Sequence, residues 1–550
     1  MVEPMTAPAP APRAADPLGT LLFVLAILAL ALAPTQLTVA VKGIPLHPSE
    51  PFLLLAAFVW AIRLGVWWVN ARKQPASAPE PGAPRRARAA AASPLAELPP
   101  FAHWLLFAAG GLSLFALLAP LGPAAGANDE VIPLARLGIE IEKAAVKGWA
   151  METAQVVLYL LIAVTVYRAV FRAPGRLRLA VFALLAATSL AVGLAVVQRA
   201  LLPAHYQPDP ARRVVFADNT ERMTEAEKAA YTGPRIMGVW RDGQFTPRPR
   251  ALAYVTVETP QHVCSTFGHW GEHGFYPSRM AYAGFLALTL PFALVVWRTD
   301  RRRWVRLWMA LLFAGAAATV LAGLAVPALL LGLLATGFAL GPRAGRAVLV
   351  GVVAYGVFVF ALGGLHRAEV LVEPYRPTVR AAEAARLYDG ATHVKKFWGE
   401  QYAALNIFRG NPVLGAGNGQ YQARIGQAYD VLSPVAAQRL EPDAQNGYLV
   451  ALVNTGLLGL AAWLALFGGY WGLARARVRA AGARVRATED DVPTRDPWAA
   501  ALCGALAALV LVFFVTNPWV RGTATVIAAL LAAVAVGATP SPAARIDKQE

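Results

Sequence analysis

Long uncharged apolar runs alternate with short arginine-rich segments along most of this 550-residue chain, and this alternation constrains its fold more than any other feature. A membrane-spanning helix needs about 20 consecutive apolar residues, and many of the runs reach that length. Charged residues make up only 15% of the chain, whereas a soluble protein of ordinary composition carries about 25%. The sequence therefore predicts an all-α polytopic membrane protein.

The apolar runs predict about twelve transmembrane helices. In the first half of the chain, the predicted spans are 18–40, 51–69, 101–121, 150–170, 179–201 and 275–297. In the second half, they are 304–324, 327–340, 347–365, 447–470, 499–516 and 523–538. The division at Pro327 cuts one long apolar run in two.

The arginines predict the orientation of these spans. If the N-terminus is inside, every inner connector is arginine-rich: 72–100, 171–178, 298–303, 341–346 and 471–496. Membrane proteins keep their positively charged connectors on the cytoplasmic side. We therefore interpret the net charge of +17 as a signal of topology and not of nucleic-acid binding. The expected location is a bacterial inner membrane, with both termini in the cytoplasm.

This orientation divides the chain into helical and connecting parts. A disordered cytoplasmic tail, 1–17, precedes N-terminal helices at 18–201, which contain an Ala/Pro/Arg-rich cytoplasmic linker at 71–100. Central helices at 275–365 and C-terminal helices at 447–538 follow, and a cytoplasmic tail covers 539–550. Two long periplasmic loops with short helices, 202–274 and 366–446, connect them, and 132–147 is predicted to form an amphipathic surface helix. Long loops with structure of their own are a usual place for function.

The first local motif is a glycine-rich turn in the second long loop, Asn411-Pro-Val-Leu-Gly-Ala-Gly-Asn-Gly419. Pro412 ends the preceding helical stretch, and Gly415 and Gly417 allow tight backbone turns. Exposed backbone N–H groups in such a turn can bind an anion. A plain helix-ending loop explains the same residues.

The second motif lies where that loop enters a predicted span. Asp443-Ala-Gln-Asn-Gly-Tyr-Leu449 is followed by Asn454-Thr-Gly-Leu-Leu-Gly459. Its polar side chains are expected at the outer mouth of the helix, where they can meet a lipid head group, and Gly456 and Gly459 allow close helix packing. An interfacial helix cap is the alternative interpretation.

Together, the two motifs resemble the O-antigen ligase and O-antigen polymerase family, which includes Wzy-like polymerases and WaaL-like ligases. The family has a Pro-x-x-Gly-x-Gly-x-Gly-like turn in a large periplasmic loop, and then a His-Asn pair nine residues before Gly-x-x-Gly. Here Asn446 precedes Gly456-Leu-Leu-Gly459 by the same spacing. A third match, Gly274-Phe-Tyr-Pro-Ser-Arg-Met-Ala281, leads into a central span. The resemblance covers roughly 274–459 and implies a GT-C-like membrane glycosyltransferase.

The resemblance implies that glycan is transferred from an undecaprenyl-pyrophosphate-linked donor to a glycan or lipid acceptor, within O-antigen or exopolysaccharide assembly. It implies membrane lipid as surroundings, chain-length regulator or flippase proteins as partners, and neither cofactor nor metal. Cationic side chains would stabilise the leaving pyrophosphate. The candidate substrate-binding residues are Arg279, Lys395, Lys396, Arg409, Arg424, Asn446, Gly415 and Gly417. The candidate catalytic residues are Gln445, Asp443, Glu272 and His273.

Gln445 occupies the position of the family's histidine. A glutamine can form hydrogen bonds but cannot take up a proton, so the sequence favours a polymerase over an O-antigen ligase. Two alternatives from other classes are a transporter or flippase for lipid-linked glycan and a non-catalytic export scaffold. Nearly charge-free spans, large outer loops and the lack of evident paired broken helices favour the enzyme.

The remaining ligand-type side chains give weaker patterns. His269 and His273 have a spacing that can bind a metal on a helix, but the three glycines between 268 and 274 disfavour a helix there. Cys264 and Cys503, which are the only cysteines, lie in a polar loop and an apolar run. We expect neither a metal site nor a disulfide.

Overall fold

The structure is a computed structural model, and helices dominate it. It describes residues 16–35, 39–41, 44–73, 97–118, 131–134, 139–173, 175–205, 215–218, 223–231, 237–241, 244–247, 275, 279–320, 325–372, 401, 404–421, 446–487, 496–515 and 521–537.

The helices follow the apolar runs closely. In the first half they are α1 (Pro17–Leu32), α2 (Ser49–Lys73), α3 (Phe101–Leu112), α4 (Lys143–Val156), α5 (Val164–Phe171), α6 (Arg176–His205) and α7 (Glu225–Ala230). A π-helical segment, Val157–Ala163, joins α4 to α5. In the second half they are α8 (Arg279–Thr299), α9 (Arg303–Thr319), α10 (Ala325–Leu340), α11 (Pro342–Val372), α12 (Gly447–Ala487), α13 (Pro497–Val515) and α14 (Arg521–Gly537).

Each of the twelve apolar runs overlaps one of these helices, with α4 to α5 forming a single rod, but the predicted span 18–40 is wrong at its end, because α1 stops at Leu32 and residues 39–40 belong to a strand. Seven helices in the described part of the chain are long and apolar enough to cross a membrane, and three more are shorter apolar helices. The chain is therefore a multi-pass helical membrane protein, while twelve crossings remain a prediction. Several loop boundaries shift, because α6 continues to His205, α8 begins at Arg279 and α11 continues to Val372.

Short antiparallel strands occur between the helices and were not part of the all-α prediction. They are β1 (Val39–Val41), β2 (Ile44–Leu46), β3 (Val131–Leu134), β4 (Ile139–Glu142), β5 (Val215–Asp218), β6 (Met237–Arg241) and β7 (Gln244–Pro247). The strands β1 and β2 form one hairpin, β3 and β4 a second, and β5–β6–β7 a three-stranded sheet.

The predicted amphipathic helix at 132–147 is wrong. Residues 131–142 form the hairpin β3–β4, in which Ile132 pairs with Ile141, and helix begins only at Lys143. In Ile139-Glu-Ile-Glu142, apolar and charged residues alternate, and this period of two is typical of a strand.

Helix α8 lies at the centre of the bundle, packed against α10 and α13. In its apolar span 83% of residues are buried, compared with 17% in α2, which is at the periphery. Helices α10 and α13 cross so closely that a Cβ at Gly504 would lie 2.4 Å from the Gly332 carbonyl oxygen. Small residues at helix crossings are the usual means of close packing within membranes.

A buried carboxylate connects α2 to α5 at the end of the bundle predicted to face the cytoplasm. Glu97 is 2% exposed and accepts a hydrogen bond from the Trp60 indole at 2.7 Å. It also pairs with Arg63 at 3.5 Å and with Arg172 at 3.3 Å. Glu97 lies within the segment that the sequence predicts to be a linker, 71–100, and its burial is unexpected there.

Candidate functional site

Helix α12 is broken at Gly456, and the break defines the candidate site. Gly456 has φ 65° and ψ −162°, which is far from a helical conformation. In a regular helix the Leu457 N–H would donate to the Val453 carbonyl. Instead, Leu457 N–H donates to the Pro412 carbonyl at 2.9 Å, and the Val453 carbonyl accepts from Ala416 N–H at 2.6 Å. The glycine-rich turn therefore satisfies two backbone groups that the break releases.

This docking requires glycine on both sides of the contact. Gly415 has φ +73°, and a Cβ there would lie 2.5 Å from the Val453 carbonyl oxygen. A Cβ at Gly456 would lie 2.1 Å from the Val413 carbonyl oxygen. Both positions also have the positive φ that L-residues with a side chain rarely adopt. The two sequence motifs thus form one packed unit.

The other side of the turn contacts α4 and the short 3-10 helix Ser113–Leu118 that extends α3. Asn418 N–H donates to the Ser113 hydroxyl at 3.0 Å, and its side-chain amide donates to the Thr153 hydroxyl at 3.2 Å. A Cβ at Gly419 would lie 2.5 Å from the Gly148 carbonyl oxygen. The turn is therefore wedged among three helices.

Asn446 caps the start of α12. Its Oδ1 accepts from the backbone N–H groups of Tyr448 at 3.0 Å and Leu449 at 3.1 Å, which is the geometry of an N-cap. Its Nδ2 donates to Gln401 Oε1 at 3.0 Å, and both side chains are buried. The amide pair fixes where the second long loop enters the bundle.

A small apolar cluster, separate from the main core, holds the short helical segment 404–410 against α12. Its buried members are Ala404, Ala416, Tyr421 and Val453. Arg409 is exposed at the end of this segment, and its guanidinium lies 3.4 Å from the Asn406 side-chain oxygen. Arg409 is therefore presented on the outside of the docked unit.

The structure brings four predicted site residues into this unit: Gly415, Gly417, Asn446 and Arg409. Arg279 begins α8, as the sequence indicated for a residue at a helix mouth. The other predicted residues lie outside the described part of the chain: Gln445, Asp443, Glu272, His273, Lys395, Lys396 and Arg424. For all twelve predicted site residues, contact with a substrate stays a prediction.

Most backbone N–H groups of the turn are not available to an anion. Within 411–419, the N–H groups of Asn411, Leu414, Gly415, Ala416 and Asn418 all donate to oxygen atoms of the protein. The predicted anion cradle is therefore wrong for these five groups, which act in packing. The N–H groups of Val413, Gly417 and Gly419 stay candidates for binding an anion, together with the side chains around the turn.

A second group of buried polar side chains lies at the start of α2 and was not predicted from the sequence. The His47 imidazole Nδ1 accepts from Ser49 N–H at 3.2 Å, and Glu50 accepts from His47 N–H at 3.0 Å. The return bond from His47 to Glu50 resembles half of a capping box, with the imidazole accepting from Ser49 N–H, two residues on. Tyr159, in the π-helical segment, donates to Glu50 at 2.8 Å, and the hydroxyls of Ser49 and Thr525 lie 3.2 Å apart. The pattern His47-Pro-Ser-Glu50 ahead of an apolar run was the signal that could have indicated it.

Among the described residues, no group of three or more His, Cys, Asp and Glu side chains could hold a metal ion. His269 and His273 lie outside them. The pKa of Glu227 is lowered because the Thr224 backbone N–H and hydroxyl donate to its carboxylate. Glu227 is exposed in the capping box of α7, so this shift belongs to helix capping and not to a catalytic acid.

No known protein-family model matches this chain, and no curated protein is significantly similar to it. The resemblance therefore rests on the two docked motifs and the start of α8.

Proposed function

We propose that this chain is a glycosyltransferase that transfers or polymerises glycan from an undecaprenyl-pyrophosphate-linked donor at the periplasmic face of the bacterial inner membrane, in O-antigen or exopolysaccharide assembly. The observation that carries the proposal is the docking of the turn at Gly415 onto the break at Gly456. The two motifs of the family resemblance are thereby parts of one unit at the start of α12. A site built by docking a loop onto a helix mouth suits a lipid-linked substrate, whose headgroup lies at the membrane surface.

In the proposed reaction, a hydroxyl oxygen of the acceptor attacks the anomeric carbon of the donor. The bond from that carbon to the pyrophosphate oxygen breaks, and the pyrophosphate leaves with the electron pair. Arg279 and the exposed Arg409 are the cations proposed to stabilise the charge that develops on it. Asp443, Glu272 and His273 are the groups proposed to accept the hydroxyl proton, because Gln445 cannot.

The test is a deletion strain complemented with Arg279→Ala, Gln445→Ala or Asp443→Ala. The readouts are polysaccharide chain length and lipid-linked intermediates on gels. Arg303→Ala is the matched control, since this exposed arginine begins α9 at the end of the bundle predicted to face the cytoplasm. The polymerase proposal expects unpolymerised single repeats in the deletion strain. The control variant should restore long polysaccharide chains, and the site variants should not.

Full-length chains retained on undecaprenyl pyrophosphate would indicate an O-antigen ligase instead. Normal glycans in the deletion strain would overturn the enzymatic proposal altogether.

A different observation favours a second candidate, a flippase for lipid-linked glycan. Glu50 lies within an apolar span, and its side chain is only 3% exposed. Ionisable residues inside membrane spans often belong to transport pathways. The break in α12 is a further feature of transporters. In a Glu50→Gln strain, a flippase predicts lipid-linked glycan that accumulates on the cytoplasmic side, out of reach of a glycosidase added to spheroplasts. A polymerase predicts that the same intermediates are accessible.

A further inference from the structure

An apolar cavity of about 510 Å³ lies among α8, α9, α10 and α11. Helix α9 packs on α6 and α8, whereas α11 packs on α10, so the cavity separates α9 from α11. The two helices are linked where the Tyr355 hydroxyl donates to the Val320 carbonyl. Side chains such as Leu294, Phe313 and Leu333 line the cavity, and its volume is within the range of about 300–1,000 Å³ that is typical of ligand sites.

One end of this cavity is positively charged. Arg298 lines the cavity, and Arg343 directly precedes the lining residue Ala344 in sequence. Arg298 and Arg343 are exposed, and within the described part of the chain neither forms an ion pair.

The nearby carboxylate does not neutralise this end. Asp300 follows Arg298 closely in sequence, but it pairs with Arg178 at 3.2 Å and with Arg302 at 4.0 Å. The cavity thus combines an apolar body with the guanidinium of Arg298, which has no ion-pair partner among the described residues. An acyl chain joined to a phosphate has the complementary chemistry, since guanidinium groups bind phosphate well.

We propose that this cavity binds an anionic phospholipid of the cytoplasmic leaflet, with an acyl chain between α9 and α11 and the phosphate on Arg298. The cytoplasmic leaflet is assigned because Arg298 begins the arginine-rich connector 298–303, and such connectors stay inside. The pyrophosphate of the proposed donor lies at the opposite face, so this lipid is distinct from the donor. The lipid site does not depend on the proposed glycosyltransferase activity.

The test is native mass spectrometry of the full chain in a mild detergent, titrated separately with phosphatidylglycerol, phosphatidylcholine and undecaprenyl phosphate. The first variant, Gly351→Phe, fills the cavity. Gly351 lines the cavity, and a Cβ there would meet no atom within 4 Å. The second variant, Arg298→Gln, removes the charge at the mouth.

Gly356→Phe is the matched control for the first variant. Gly356 belongs to the same helix, and a Cβ there would also meet no atom within 4 Å, but it is not part of the cavity lining. The wild-type chain and the control are expected to bind phosphatidylglycerol equally and more tightly than phosphatidylcholine. Arg298→Gln and Gly351→Phe are each expected to weaken phosphatidylglycerol binding by about tenfold, as the loss of one charge-assisted contact or of about two buried methylene groups implies.

Equal binding by all four proteins would overturn the proposal, as would equal binding of the two phospholipids. Tighter binding of undecaprenyl phosphate than of phosphatidylglycerol would overturn it too, because the occupant would then be a polyprenyl lipid. None of these results depends on whether the chain transfers sugar.

Discussion

Replacing Gly456 with alanine should release the glycine-rich turn from α12. The Cβ would lie 2.1 Å from the Val413 carbonyl oxygen, at a backbone conformation with φ +65°. Such a conformation costs a non-glycine residue about 1–3 kcal/mol. Loss of the hydrogen bonds made by Ala416 N–H and Leu457 N–H adds about 1 kcal/mol each. The sum is about 4 kcal/mol, which corresponds to a roughly thousandfold larger opening constant for the docked turn.

Hydrogen–deuterium exchange of peptides that cover 411–421 measures this opening directly in detergent-solubilised protein. Gly468→Ala is the matched control, because Gly468 lies in the same helix and a Cβ there would have no atom within 4 Å. Alanine at an ordinary helical position stabilises by about 0.5–1 kcal/mol, so the control should exchange like the wild-type chain or more slowly. If Gly456→Ala exchanged like Gly468→Ala, the docking of the turn onto the break would be wrong.

Two further substitutions test contacts that connect distant helices. Glu97→Gln removes the charge that pairs with Arg63 and Arg172, both of which are about one-third exposed, and should lower the free energy of unfolding by about 1–3 kcal/mol, less than for a fully buried pair. Thermal unfolding in detergent measures this loss. An unchanged unfolding midpoint would mean that the charge of Glu97 does not stabilise the fold. Tyr470→Phe removes the hydroxyl 2.7 Å from the His103 imidazole, where both side chains are buried; the expected loss is about 1–3 kcal/mol, and a midpoint equal to that of the wild-type chain would contradict it.

The positions of the helices were predictable because an apolar run marks each one. Each of the twelve runs overlaps a helix, and seven helices of the described part are long and apolar enough to cross a membrane, where a spanning segment must satisfy its backbone groups within itself. The hairpin β3–β4 was mistaken for a helix because a stretch as short as 132–147 fits either period. The local sequence does not decide between helix and hairpin here. The pairing of the two strands across the turn decides it.

The candidate site was predictable in its parts but not in its geometry. From the sequence, Gly456 and Gly459 have the same expected role in helix packing, yet only Gly456 leaves the helical conformation. That difference depends on Pro412 and Ala416, which are remote from Gly456 in sequence. Their backbone groups form hydrogen bonds with the groups of α12 that the break leaves unpaired. Glu97 gave no signal for the same reason, because Arg63 and Arg172 approach it only in the folded chain.

The spacing of the hydrogen-bonding groups explains why the turn and the helix break occur together. The break leaves a carbonyl at Val453 and an N–H at Leu457, four positions apart, which would pair with each other in a continuous helix. The turn offers a carbonyl at Pro412 and an N–H at Ala416 with the same separation, and the two pairs exchange partners. The first part of α12, from its cap at Asn446 to the break, is therefore oriented by the loop and not by the rest of the helix. If this chain transfers glycan, the glycine-rich turn acts by positioning that segment, and the reacting groups must be sought on side chains at its outer end.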